Sequence, residues 1–227
     1  MAKLNSIKGF VFDLDGTLVD SLGTTFDAFN HAIVQSGGKK HTPAEIMAHF
    51  GTGESQIFAK ILDEERAESA YALSRSYMDE NMGTVPLHDG IGDLLEKLKS
   101  SNIPISIFTG RSWDTTKIIL THHGLLDRFI TIVANNHVTK PKPSPEGLVL
   151  ALSRMKLMPH EVFFVGDSPV DIIAGKEAGS PSIAALWDLI AQKTLLEPCE
   201  PDHFANHPLH VWDIWKMHAD LEFIHTN

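Results

Sequence analysis

Short apolar runs recur along this chain, and helical patterns separate most of them. FVF at 10–12, ISIF at 105–108, ITIV at 130–133, VFFV at 162–165 and SIAAL at 182–186 each read as a buried strand. Between them the pattern predicts helices at 91–100, 114–122, 146–155 and 170–178. Strands alternating with helices in this way predict an α/β fold with a mostly parallel sheet. Residues 19–83 break the alternation, because no strand is legible there. A helix at 21–35 stops at Gly37-Gly38, which suits a C-terminal cap. TPAE then starts another, with Thr42 as cap, Pro43 in the first turn and Glu45 completing a capping box. Further helices follow at 54–62 and 64–81. A helical insert therefore separates the first strand from the others.

Composition places this pattern in an ordinary soluble globular protein, with 43% hydrophobic and 21% charged residues. Its 227 residues suffice for one sizeable core and a smaller second unit. The formal net charge of -10, with no basic run, argues against nucleic acid or anionic membranes as partners. The first apolar segment is too short to span a membrane, and Asp13 ends it; no cleavable signal follows. A single cysteine, Cys199, forms no intrachain disulfide, which fits a reducing compartment, and the expected location is cytoplasmic.

The candidate chemistry lies where the apolar runs stop. The first ends in Asp13 and Asp15, the second in Thr109, Gly110 and Arg111, and VFFV in Gly166, Asp167 and Ser168. In a parallel sheet these ends open on one edge, where ligands of open α/β folds bind. Asp171 adds an acid one helical turn beyond Asp167, and TKPKPSPEG supplies Lys140 and Lys142. Acids so close together repel, so a cation or a proton has to compensate them. Carboxylates with a hydroxyl and a lysine suit a divalent cation, Mg2+, and a phosphoryl group. One carboxylate of the Asp13–Asp15 pair can attack phosphorus, giving an aspartyl-phosphate, while the other moves protons.

DLDGT, a threonine closing the second strand, a Lys-Pro motif and GDSPVD, in that order, resemble the haloacid dehalogenase superfamily. The helical insert resembles its phosphatase branch with a helical cap, including phosphoglycolate phosphatase-like enzymes. PDHFANHPLHV resembles that group's last short strand and helix. The resemblance implies a Rossmann-like core from residues 1–18 and 87–227, with a helical cap domain at 19–86. It implies that Asp13 is nucleophile and metal ligand, and that Asp15 is general acid, then base, its backbone carbonyl also holding the Mg2+. Thr109 becomes the phosphate-binding hydroxyl and Asp167 the remaining carboxylate ligand. Asp171 would complete the metal site, orienting a bound water or the lysine. The site lysine is expected to be Lys142 rather than Lys140, because Ser144 and Pro145 start a helix and KPSPE fits the family pattern.

The implied function is Mg2+-dependent phosphomonoester hydrolysis of a small phosphorylated metabolite, 2-phosphoglycolate being favoured, by a monomer or homodimer. Phosphomutase and pyrophosphatase are the alternatives within the superfamily; dehalogenase and phosphonate hydrolase are disfavoured. A phospho-receiver signalling module gathers similar residues, but on a chain about half this length and without the insert. Substrate contacts are assigned to Gly110 and Arg111, and to Thr52 and Glu54 in a cap loop, GTGES. Arg111 has two readings, a substrate carboxylate ligand or a surface salt bridge. GTGES lacks the third glycine of a dinucleotide loop, since Gln56 stands there and a helix precedes it. Thirteen histidines invite a zinc site, but no H-E-x-x-H occurs, and His203, His207 and His210 straddle Pro208. Trp212, Trp215 and Phe223 are expected to pack on the sheet.

Overall fold

The structure is a computed structural model and describes residues 7–49 and 54–219. The apolar runs form strands β1 (Gly9–Phe12), β2 (Ile105–Phe108), β3 (Ile132–Val133), β4 (Val162–Gly166) and β5 (Ser182–Ala185), joined by β6 (His203–Ala205). All pair in parallel, in the order β3-β2-β1-β4-β5-β6. The order reverses beside β1, so a crevice opens between the carboxyl ends of β1 and β4. β3 is shorter than its apolar run predicts: it lies at the sheet edge, and Ile130 is 53% exposed there.

Alternation along the strands sorts side chains to the two faces. Phe10, Phe12 and Phe163 stack on one face, with ring centroids 5.6 and 6.0 Å apart. Val11, Phe108 and Phe164 point to the other, where they pack with Leu148 and Leu152 of one helix and Ala174 of another. Trp215 is buried and donates its indole N–H to Ile7 O at 2.9 Å. Trp212 packs beside it at a tilt, ring centroids 4.9 Å apart, whereas Phe223 lies outside the described residues. Burial on both sides explains why these strands read as apolar runs rather than as alternating ones.

The chain divides into two compact units, one of Met1–Asp20 with Pro86–Asn227, the other Ser21–Val85. The second contains α1 (Leu22–Gln35), α2 (Pro43–Met47), α3 (Glu54–Ile61) and α4 (Glu64–Asn81). It has its own core of Phe29, Ile33, Ile46, Ile57, Phe58 and Ala70. The Thr42–Glu45 capping box starts α2. The exit and return segments of the sheet unit are tied together: Asp20 N donates to Pro86 O and His88 N to Leu18 O, at 3.0 and 3.1 Å. Val19 bridges Leu87 as well, so these residues belong with the sheet, and the division falls slightly inside 19–86.

The sheet unit continues with α5 (Ile91–Ser100), α6 (Trp113–His122), α7 (Glu146–Met155), α8 (Pro169–Ala178), α9 (Lys193–Leu196) and α10 (Pro208–His218). Among the described residues no helix is long and apolar enough to cross a membrane.

Candidate active site

Asp13 follows β1 directly, its N–H donating to Val165 O at 2.8 Å, so pairing with β4 fixes where its side chain starts. Asp167 follows β4. Asp171 stands in the first turn of α8, and one oxygen from each of these three carboxylates lies within 4.8 Å of the others. Lys142 enters between them, donating to Asp13 Oδ1 and to Asp171 Oδ1, both at 2.7 Å. Its ammonium also lies 5.0 Å from the centroid of Phe108 and 5.4 Å from that of Phe164. Aromatic faces carry partial negative charge, so the core rings add to the lysine's stabilisation. Lys140 is exposed, and its backbone N–H donates to Glu146 instead. The helix after the lysine spans Glu146–Met155, as the pattern predicts, with Pro145 as its N-cap residue and Ser144 Oγ accepting from Glu146 N.

Asp171 is committed on both oxygens. Oδ1 takes Lys142, while Oδ2 accepts from the backbone N and the hydroxyl of Ser168. Gly166 lets Asp171 approach, because a Cβ there would overlap its carboxylate. Gly16 does the same for Asp167: its φ of +75° is left-handed, and a side chain would overlap Asp167 Oδ2. Thr17 Oγ1 donates to Asp167 Oδ1 at 2.9 Å, and Trp187 Nε1 donates to Thr17 O at 2.9 Å.

The electrostatics follow from burial. Asp13 is pushed up to about 7, chiefly because burial penalises its charge; Lys142 opposes the shift, and Asp171 and Asp15 add to it. Asp167 is raised well above the ordinary range by burial, then by Asp13 and Asp171, against the Thr17 hydrogen bond. For Lys142 burial is again the largest effect and favours the neutral amine. Asp13 and Asp171 together outweigh it and raise the lysine above its usual value. Three acids meet one lysine, and the shifts of Asp13 and Asp167 express that imbalance. The donor set consists of hard carboxylate oxygens, the ligands that Mg2+ takes. The residues Asp13, Asp167 and Asp171 therefore fit a divalent cation.

Asp15 faces Arg111. The guanidinium donates from Nε to Oδ1 and Oδ2 at 3.1 and 2.9 Å, and from Nη2 to Oδ1 at 2.6 Å. Thr109 directly follows β2 and is buried, and its hydroxyl accepts from Arg111 N at 3.0 Å across Gly110. Thr52 lies outside the described residues, and Glu54 opens α3. His203 Nε2 lies 2.9 Å from His218 Nε2, beside the Phe163 ring.

Sequence reasoning assigned no role to Gly16, Thr17, Ser168 or Trp187. Gly16 and Thr17 stand inside DLDGT, so the motif itself carries their signal. Trp187 had none, because it reaches Thr17 across 170 positions of the chain.

The fold is thus a Rossmann-like α/β fold with acids, a lysine and a hydroxyl at its crevice. Residues 10–185 match the family described as haloacid dehalogenase-like hydrolase. A phosphoglycolate phosphatase of Yersinia pseudotuberculosis is 30% identical over 195 residues, covering 82% of this chain and 84% of its own. A pyrophosphatase PpaX of Bacillus velezensis is 28% identical over 198 residues, covering 87% of this chain and 91% of its own. A solved structure of a haloacid dehalogenase-like family hydrolase from Streptococcus pneumoniae has a TM-score of 0.79 at 27% identity. It covers 92% of this chain and 98% of its own. The chain belongs to the haloacid dehalogenase-like hydrolase family and is an enzyme of its phosphatase class.

Proposed function

We propose that this enzyme hydrolyses small phosphate monoesters with Mg2+ through an aspartyl-phosphate on Asp13. The observation that carries the reading is Lys142, held 2.7 Å from both Asp13 and Asp171, with Asp167 completing the acid cluster. Mg2+, held by Asp13, Asp167 and the Asp15 carbonyl, would neutralise the acids and draw charge from the phosphoryl oxygens. In the first half-reaction an Asp13 oxygen bonds to phosphorus as the bond to the leaving oxygen breaks. The departing electron pair takes a proton from Asp15. In the second, Asp15 removes a proton from water as its oxygen bonds to phosphorus and the bond to Asp13 breaks. Inorganic phosphate leaves, and both side chains return to their starting forms. Thr109 and Lys142 hold the phosphoryl oxygens, and the Lys142 charge offsets the charge that builds there.

The helical insert resembles the cap of the family's phosphatase branch, and this reading assigns Thr52 and Glu54 of its loop to the substrate. A cap of that kind favours a small metabolite over a polymeric ester. Within that class a short phosphorylated acid such as 2-phosphoglycolate is favoured by the relatives bearing that name. Pyrophosphate is the second reading, on the strength of relatives called pyrophosphatase. Arg111 adds nothing to the choice, since its guanidinium is engaged with Asp15.

Phosphate release from 2-phosphoglycolate, a sugar phosphate, pyrophosphate and a phosphopeptide, in Mg2+ and in chelator, tests the reading. The small esters should turn over only with Mg2+, and Asp13→Asn should lose at least ~10²-fold in kcat. Near wild-type turnover by purified, undeamidated Asp13→Asn would falsify the mechanism. A phosphopeptide with the highest kcat/KM would overturn the small-metabolite reading.

A further inference from the structure

The geometry points to Arg111 as the positioning residue for Asp15, rather than as a ligand of substrate. This rests on the proposed acid–base work of Asp15. A surface salt bridge would leave the arginine in solvent, but the Arg111 side chain is only 8% exposed against 27% for Asp15. The cation is therefore the better buried partner, and it approaches the carboxylate with both Nε and Nη2. A planar two-nitrogen contact fixes the rotation of a carboxylate as well as its distance, which a single point charge does not.

The backbone of Arg111 is fixed too. Its N–H donates to Thr109 Oγ1 at 3.0 Å, and its carbonyl accepts from Asn135 N at 2.9 Å. The first bond ties it to the end of β2 and the second to the turn after β3. The guanidinium is thus delivered from two neighbouring strand ends to a carboxylate on a third. Asp15 itself follows β1 and precedes the left-handed Gly16, and its bridge to Val19 closes that turn. A proton donor or acceptor displaced by about an ångström can lose a hundredfold in rate, so orientation of this kind bears directly on turnover. The same residue joins the phosphate-binding hydroxyl to the proton-moving carboxylate.

Arg111→Ala should leave substrate binding nearly unchanged and misplace Asp15. p-Nitrophenyl phosphate separates the two half-reactions, because its leaving group departs without a proton. Phosphorylation of Asp13 then proceeds, while attack by water, which needs Asp15, slows. Rapid mixing should show a stoichiometric burst of nitrophenol, a kcat lower by at least ~10-fold, and a true dissociation constant within about threefold of wild type. A simple alkyl phosphate should give no burst. Arg111→Lys, which keeps the charge and most of the volume but loses the planar contact, should show the same burst with a smaller loss. Asp15→Asn is the control and should burst in the same way. Weaker substrate binding without a burst would make Arg111 a phosphate ligand, and unchanged kinetics in both variants would leave the pair without a role. Either result overturns the inference. Full steady turnover by Asp15→Asn would instead sink the acid–base reading on which it rests.

Discussion

In the presence of a chelator, raising the pH from about 5 to about 8 should lower the melting temperature of this protein. The cause is Asp13, whose carboxyl moves from an ordinary value of 3.8 to about 7 in the folded, metal-free site. The folded carboxyl holds its proton more tightly than the unfolded one. Its contribution to stability is therefore complete below 3.8 and is lost as pH rises through about 7. Between pH 5 and 8 about two of the roughly three pH units of difference are traversed, which corresponds to about 3 kcal/mol, undiscounted because Asp13 is 8% exposed. For a chain of this size that is on the order of 10 °C. Asp167 shifts in the same direction and adds to the slope. Lys142 is raised above its usual 10.5, so its own stabilisation is complete throughout this window and adds no slope.

Differential scanning calorimetry in chelator, run for wild type and Asp13→Asn, isolates the effect. Asparagine carries no titrating charge, so the variant should lose most of the slope and be the more stable protein at the alkaline end. Added Mg2+ should restore the wild type, and increasingly so as pH rises, because its ligands must be deprotonated. A wild-type melting temperature that is flat or rises across the window in chelator would refute the electrostatic picture. So would an Asp13→Asn slope equal to that of wild type.

Lys142→Ala removes the cation that Asp13 and Asp171 share in a buried site, which should cost about 3–5 kcal/mol and at least ~10²-fold in kcat. Thermal unfolding and steady-state phosphate release measure the two effects, and activity near wild type would remove the lysine from the mechanism. Gly16→Ala forces a side chain into a left-handed turn at about 1–2 kcal/mol and pushes against Asp167. A Mg2+ titration should then reach half-maximal activity at a concentration raised at least ~10-fold, with unchanged affinity counting against Asp167 as a ligand.

What the chain carries locally is enough to find the elements. Runs such as FVF and VFFV are apolar throughout because strands in the middle of a parallel sheet are covered on both faces, and each stops where polar residues begin. The capping box at Thr42 and Glu45 is equally local, and so is the alternation of strands with helices. The adjacency of Asp13 and Asp15 already required compensation, whatever the fold. The exposed end of β3 is not legible locally, because a hydrophobic run does not say which strand lies at the edge.

Tertiary structure decided what compensates which acid. Strand order places β1 between β2 and β4, which sets Asp13 beside Asp167 on one side and Thr109 on the other. Lys142 meets Asp13 across 129 positions and Asp171 across 29, and Arg111 meets Asp15 across 96. No local pattern encodes such pairings, since they depend on strand register and on the rotamers left open by the packing beneath. Arg111 read equally well as a surface charge or a substrate ligand until β1 and β2 were side by side. The sequence determined that charge would gather at one edge of the sheet. Only the packed sheet assigned each charge its partner, because Coulomb and hydrogen-bond energies depend on distances in space and not along the chain.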